Sequence, residues 1–221
     1  MVHGLEDLHI HSRYSDGMSS IDEIVRRAVS LELKTVAITD HFWPSRGSRH
    51  GGKNLIEQRR QEILTCREDY PELTILDGVE VDIQSNGELA PVAGGLEQFD
   101  LIIGSFHWYT DSRNWASAVV KAARKKEFQI LGHWDGYLSS YMEEDGEIVV
   151  EALGDANVAV ELNGRYKIEN TDFFALAKSA GCVFSLGSDS HEVTTVGRLH
   201  FQYKIASSME LPIVQFNELK I

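Results

Sequence analysis

Seven short apolar runs in this chain each end in residues that bind divalent metals. His9 and His11 follow Asp7 and Leu8, Asp40 and His41 follow residues 35–39, and Glu80 follows 73–79. His107 follows 101–106, His133 follows 129–132, Glu161 follows 158–160, and Asp189 and His191 follow the run at 183–188. Two histidines one residue apart at a strand end face the same side, because side chains alternate with period two. Imidazole and carboxylate without thiolate suit zinc, manganese or iron. So many ligands exceed one tetrahedral site; shared through bridging carboxylates, they suit two to three divalent ions. Clusters of this kind generate hydroxide near neutral pH and stabilise both oxygens of an in-line phosphoryl displacement.

The ligands converge only if strands carry them to one place. Strand-like segments recur near 5–10, 34–39, 73–80, 100–105, 128–132, 157–162 and 182–187. They are rich in Val, Ile, Leu and Phe without strict alternation, as parallel strands covered on both faces are. Helical patterns lie between them. In the first, Ser19 or Ser20 caps the helix, Glu23 stands at capping-box spacing from Ser20, and Ile21, Ile24, Val25, Ala28 and Val29 share one face. Others fit 54–69, stopping before Pro71, then 114–126, 146–153 and 171–180, the last stopping at Gly181. Strands alternating with helices predict a parallel sheet. Seven units leave little room for an eighth, so a compact α/β barrel of seven strands is expected, with an open doubly wound sheet second. Such a barrel keeps its chemistry at the C-terminal ends of its strands.

With 221 residues, the chain is long enough for one domain, 1–221, with a large core. No uninterrupted apolar stretch approaches the ~18 residues of a membrane span. The first residues lack a basic region followed by an apolar one, so no signal peptide is expected. Cys66 falls in a helix and Cys182 in a buried strand, which fits a reducing cytoplasm better than a disulfide framework. A formal net charge of −13 without a basic tail argues against general nucleic-acid binding. Bound cations would offset part of that charge, or the acidity serves solubility alone.

Taken in order, the ligand-bearing segments resemble the motifs of the PHP family, the polymerase and histidinol phosphatase superfamily. The segments are 7–12 with Ser15, Asp16 and Gly17; Thr39, Asp40 and His41; 78–82 around Glu80; 104–107 ending in His107; Gly132 and His133; and 187–191 with Asp189 and His191. The likeness runs from about residue 7 to 200 and is histidinol-phosphatase-like in character. It implies a distorted (β/α)7 barrel with up to three metals at its C-terminal face. Carried over by position, His9, His11, Glu80 and Asp189 would bind a first ion. Glu80, His107 and His133 would bind a second, with Glu80 bridging, and Asp16, His41 and His191 a third. Some members have histidine where this chain has Asp16, which would weaken the third site or favour a harder metal. The implied reaction is hydrolysis of a small phosphomonoester by a metal-bridging hydroxide, with Glu80, Asp189 and His191 catalytic.

A phosphoryl group needs cationic partners, which arginine supplies through bidentate contacts. Arg165 after the sixth strand and Arg198 beyond the seventh are placed for that grip. Arg13 and the loop bearing Arg46, Arg49, His50 and Lys53 are lesser candidates, and Gly47, Gly51 and Gly52 make that loop a candidate lid. His3, His50 and His200 match no motif. Glu161 is read as orienting a ligand, and Asp40 as orienting His41. Trp115 is read as packing, while Trp43, Trp108 and Trp134 lie close enough to ligands that at least one is expected to line the substrate pocket. Two rivals stand beside the phosphatase: an amidohydrolase-type C–N hydrolase, which usually needs a strand-end lysine absent here, and a catalytically silent metal-binding PHP module.

Overall fold

Each strand lies beside its neighbour in sequence, and every pair is parallel. A computed structural model describes residues 6–42, 52–168 and 170–219. The strands are β1 (Glu6–Ile10), β2 (Thr35–Ile38), β3 (Thr74–Asp82), β4 (Leu101–Ser105), β5 (Ile130–Leu131), β6 (Ala159–Asn163) and β7 (Phe184–Gly187), in sheet order β1 to β7. Helices α1 (Ile21–Ser30), α2 (Lys53–Asp69), α3 (Ser112–Ala123), α4 (Glu143–Ala156), α5 (Thr171–Ser179) and α6 (His200–Met209) cover the outside. The sheet is a nearly closed barrel of seven strands.

Closure happens at the top only. Ile10 and Ser190 form one parallel bridge, with His11 N–H donating to the Ser190 carbonyl at 2.8 Å. Below it, a side chain replaces the backbone ladder. The buried Asp7 carboxylate accepts the N–H groups of Ser188 and Gly197, each at 2.8 Å. Burial raises the Asp7 carboxyl above its ordinary range, opposed by these hydrogen bonds.

Helix α1 forms as its sequence demands. Ser20 accepts from Glu23 N–H, Glu23 reaches back to Ser20 N–H at 2.8 Å, and Ile21, Ile24, Val25 and Ala28 are buried. Two elements depart from the expected pattern. No helix lies between β3 and β4. Helix α6 carries no clear helical signal in the sequence because its apolar stripe is thin; only Gln202 and Ala206 are buried.

Period two divides each strand between two environments. Leu76 of β3, Ile103 of β4, Ile130 of β5 and Ala159 of β6 share one apolar cluster with Leu8 and Ala37, which fills the lower barrel. Their neighbours Val79, Ile102, Leu131 and Val160 pack outward against the helices. In β1 the alternation breaks. Leu8 joins the interior cluster while His9 also turns inward, and the register shifts between Asp7 and Ile10.

Candidate metal centre

Above the apolar plug, the strand ends bring nine of the expected side chains into one polar cluster. His9 lies in β1 with His11 just beyond it, Glu80 in β3, His41 past β2, His107 past β4, His133 past β5, and Asp189 and His191 past β7. Asp16 comes from the β1–α1 loop. Apart from Asp16 and His191, which are half-buried, all are buried. Two of them are aimed by unusual backbone: His133 (φ 21°) and Asp189 (φ 51°) adopt positive φ, a conformation costly for non-glycine residues and concentrated at functional sites. Gly187 is required for a different reason. A Cβ there would fall on the Glu161 carboxylate and the His9 Cβ.

Glu80 stands at the centre. Its Oε1 lies 2.9 Å from His133 Nε2 and 3.4 Å from His107 Nε2. Its Oε2 lies 3.0, 3.3 and 3.4 Å from the Nε2 atoms of His9, His11 and His41. Asp189 Oδ1 is 3.4 Å from His11 Nε2 and from His191 Nδ1. Asp16 is 3.1 Å from His191 Nε2, 3.7 Å from His11 Nδ1 and 4.0 Å from His41 Nε2.

Carboxylates behind the polar cluster fix the imidazoles. Glu161 takes the Nδ1–H of His9 at 2.7 Å and the backbone N–H of His133 at 2.8 Å. Asp82 takes the Nδ1–H of His107 at 2.6 Å. Both arrangements leave Nε2 facing the centre, the usual way a carboxylate orients a ligating histidine.

The electrostatics follow from crowded opposite charges. Burial pushes the His9 imidazole down, but the carboxylates of Glu161, Glu80 and Asp189 override it and hold it well above its ordinary value. Burial would raise Glu80, and the imidazoles of His9, His107 and His41 instead hold it well below the carboxylate range. His41 has fewer carboxylates beside it, and burial lowers it to about 4. The donor set fits divalent metals: ionised oxygens face imidazole nitrogens, groups of three approach within ligand spacing, and Nδ1 of His11 and of His133 is buried with no hydrogen-bond partner.

At the rim, the Arg165 guanidinium lies 2.6 and 2.8 Å from the two ring nitrogens of His191 and 3.5 Å from Asp189. Arg165 and Arg198 line one cleft of about 550 Å³ with Asp16, Asp189 and His191. The ring of Tyr166 lies 5.0 Å from that of His133, and Tyr137 lies 5.6 Å from His107.

The PHP domain model matches residues 7–165. The chain belongs to the PHP family. It is 28% identical over 197 residues to the DNA polymerase/3'-5' exonuclease PolX of Bacillus subtilis, covering 85% of this chain but 34% of that longer protein. It is 25% identical over 224 residues to the "Probable phosphatase YcdX" of Escherichia coli K12, covering 93% and 86%. The crystal structure of histidinol phosphate phosphatase from Lactococcus lactis, complexed with zinc, L-histidinol and phosphate, shares the fold. It superposes at TM-score 0.75 with 18% identity, over 98% of each chain.

Several residues lie elsewhere in this PHP protein than the sequence suggests. Asp40 does not orient His41; its carboxylate accepts from the backbone and hydroxyl of Ser12, each at 2.7 Å, and from Ser15 at 2.6 Å. Arg13 turns away to pair with Glu62 at 2.8 Å. Trp134 stacks on Phe173 at 4.0 Å and Trp115 is fully buried, while Trp108 donates to the Ile83 carbonyl. The aromatic rings lining the PHP site among the described residues are therefore Tyr137 and Tyr166. Lys53 opens α2 and Gly52 caps it. His200 is exposed at the start of α6. His3, Trp43, Arg46, Gly47, Arg49, His50 and Gly51 fall outside the described residues.

Proposed function

We propose that this PHP protein is a metal-dependent phosphatase that hydrolyses a small phosphomonoester. One observation carries the reading. A single buried carboxylate, Glu80, presents one oxygen to His107 and His133 and the other to His9, His11 and His41. A side chain so placed suits a bridge between ions. His9, His11, Glu80 and Asp189 would hold the first, Glu80, His107 and His133 the second, and Asp16, His41 and His191 the third. Zinc, manganese or iron all suit this donor set.

Ions bound there supply Lewis-acid charge and an activated water for in-line displacement at phosphorus. The chain's own residues do the rest. Glu80 sets the spacing of the two central ligand groups. Glu161 and Asp82 hold His9 and His107 in the tautomer that turns Nε2 inward. Arg165 and Arg198 grip the phosphoryl oxygens from the cleft, beside Asp189 and His191, and Tyr137 and Tyr166 wall the leaving group. Glu80, Asp189 and His191 are the catalytic residues. The relatives named as phosphatases and the neighbour solved with zinc, histidinol and phosphate support this choice of substrate class. No helix among the described residues is long and apolar enough to cross a membrane, and both cysteines are free and buried, which suits a cytoplasmic enzyme.

Elemental analysis joined to a phosphatase panel tests the proposal. Protein purified without chelator should carry about two to three transition-metal equivalents, turn over small phosphomonoesters and be inhibited by inorganic phosphate. Less than one equivalent removes the metal centre. Turnover of carboxamide or other C–N substrates, without phosphate inhibition, replaces the phosphatase with an amidohydrolase-type enzyme.

A further inference from the structure

Asp40 anchors a buried strut that the ligand assignment above does not use. The residue is wholly buried beyond β2, directly before His41. Its Oδ1 accepts the Ser12 N–H at 2.7 Å and the Ser15 hydroxyl at 2.6 Å. Its Oδ2 accepts the Ser12 hydroxyl at 2.7 Å and Nη1 of Arg59 at 3.3 Å. Arg59 projects from α2 and is also wholly buried. It donates to the Ile38 carbonyl at 2.9 Å, the Gly78 carbonyl at 2.8 Å and the Asp77 carboxylate, and its guanidinium lies 4.8 Å from the Phe42 ring centroid.

The strut runs from α2 past the end of β2 and the middle of β3 into the β1–α1 loop, which carries Asp16. Ser15 Oγ lies 3.3 Å from Asp16 Oδ1, but a hydroxyl has one proton and the shorter bond to Asp40 takes it. Ser15 therefore holds the loop to Asp40 rather than holding the Asp16 side chain. The peptide pair Asp40-His41 thus carries one ligand and anchors the loop that carries another. A buried ion pair replaced whole by apolar residues is often no less stable; what the guanidinium adds here is direction, through its rigid fork.

We propose that Asp40 and Arg59 are positioning residues for the third metal group, setting the loop so that Asp16 meets His41 and His191. The inference rests on the metal-centre reading above.

Ser15→Ala tests it with the smallest change, and Asp40→Asn removes the charge. Each protein is stripped of metal, then titrated with zinc, with bound zinc counted by elemental analysis and the melting temperature of the metal-free form recorded. Wild type should bind about three equivalents. Both variants should bind about two as wild type does and the last about tenfold or more weaker, the loss expected when a partner that orients a ligand is removed. The metal-free Ser15→Ala protein should melt close to wild type. If Asp40→Asn does not fold, Ser15→Ala decides alone. Wild-type affinity at every site in the variants overturns the inference, as does an equal weakening of all sites, which marks general loosening. Wild type that binds only about two equivalents also overturns it while leaving the phosphatase reading intact. Wild type that binds none removes the metal centre itself.

Discussion

Replacing Glu80 by glutamine preserves shape and removes one charge and one acceptor. The five imidazole nitrogens around the carboxylate lie 2.9 to 3.4 Å away, His133 and His107 on one oxygen, His9, His11 and His41 on the other. An amide offers an oxygen to one side only and turns a donor toward the other, where an imidazole nitrogen must be unprotonated to hold an ion. Removing a partner that merely orients a ligand costs ~10–100-fold. Glu80 serves two groups directly, so two such losses multiply to roughly 10³-fold in kcat, about 4 kcal/mol at 1.36 kcal/mol per decade. His107→Ala or His133→Ala truncates one group and should cost less. The assay compares kcat on a phosphomonoester at saturating metal, with bound metal and folded fraction measured for each variant. Glu80→Gln turnover within tenfold of wild type at full occupancy would refute the bridge.

Arg165→Ala and Arg198→Ala should each weaken inhibition by inorganic phosphate by tens-fold or more, since losing the charged partner of a desolvated anion costs ~2–5 kcal/mol; arginine to lysine should recover part of it, and unchanged inhibition in both alanine variants excludes them as the grip. Glu161→Gln should reduce metal affinity by ~10–100-fold, because an amide can accept from His9 Nδ1–H or from His133 N–H but not from both; unaltered metal dissociation constants would show that Glu161 is not needed to orient them.

The side-chain types of the polar cluster and the order in which the strands deliver them were legible from the chain. An apolar run ending in His, Asp or Glu is a local pattern, and parallel strands that repeat it must deliver those ends to one face. The placement of His9, His11, His41, Glu80, His107, His133, Asp189 and His191 around one centre follows from that local rule. What surrounds them does not. Glu161 meets His9 across 152 positions, and Asp7 clamps the β1–β7 seam across nearly the whole chain, distances over which spacing carries no information. Asp40 adjoins His41 in sequence, yet its carboxylate reaches the Ser12–Ser15 turn and Arg59, because the backbone past β2 points successive side chains in different directions. Arg59 reads as one more polar residue on a surface helix until α2 packs over β2 and β3. That a register break in β1 turns both Leu8 and His9 inward, and which rings wall the site, are decided only when the strands close into the barrel.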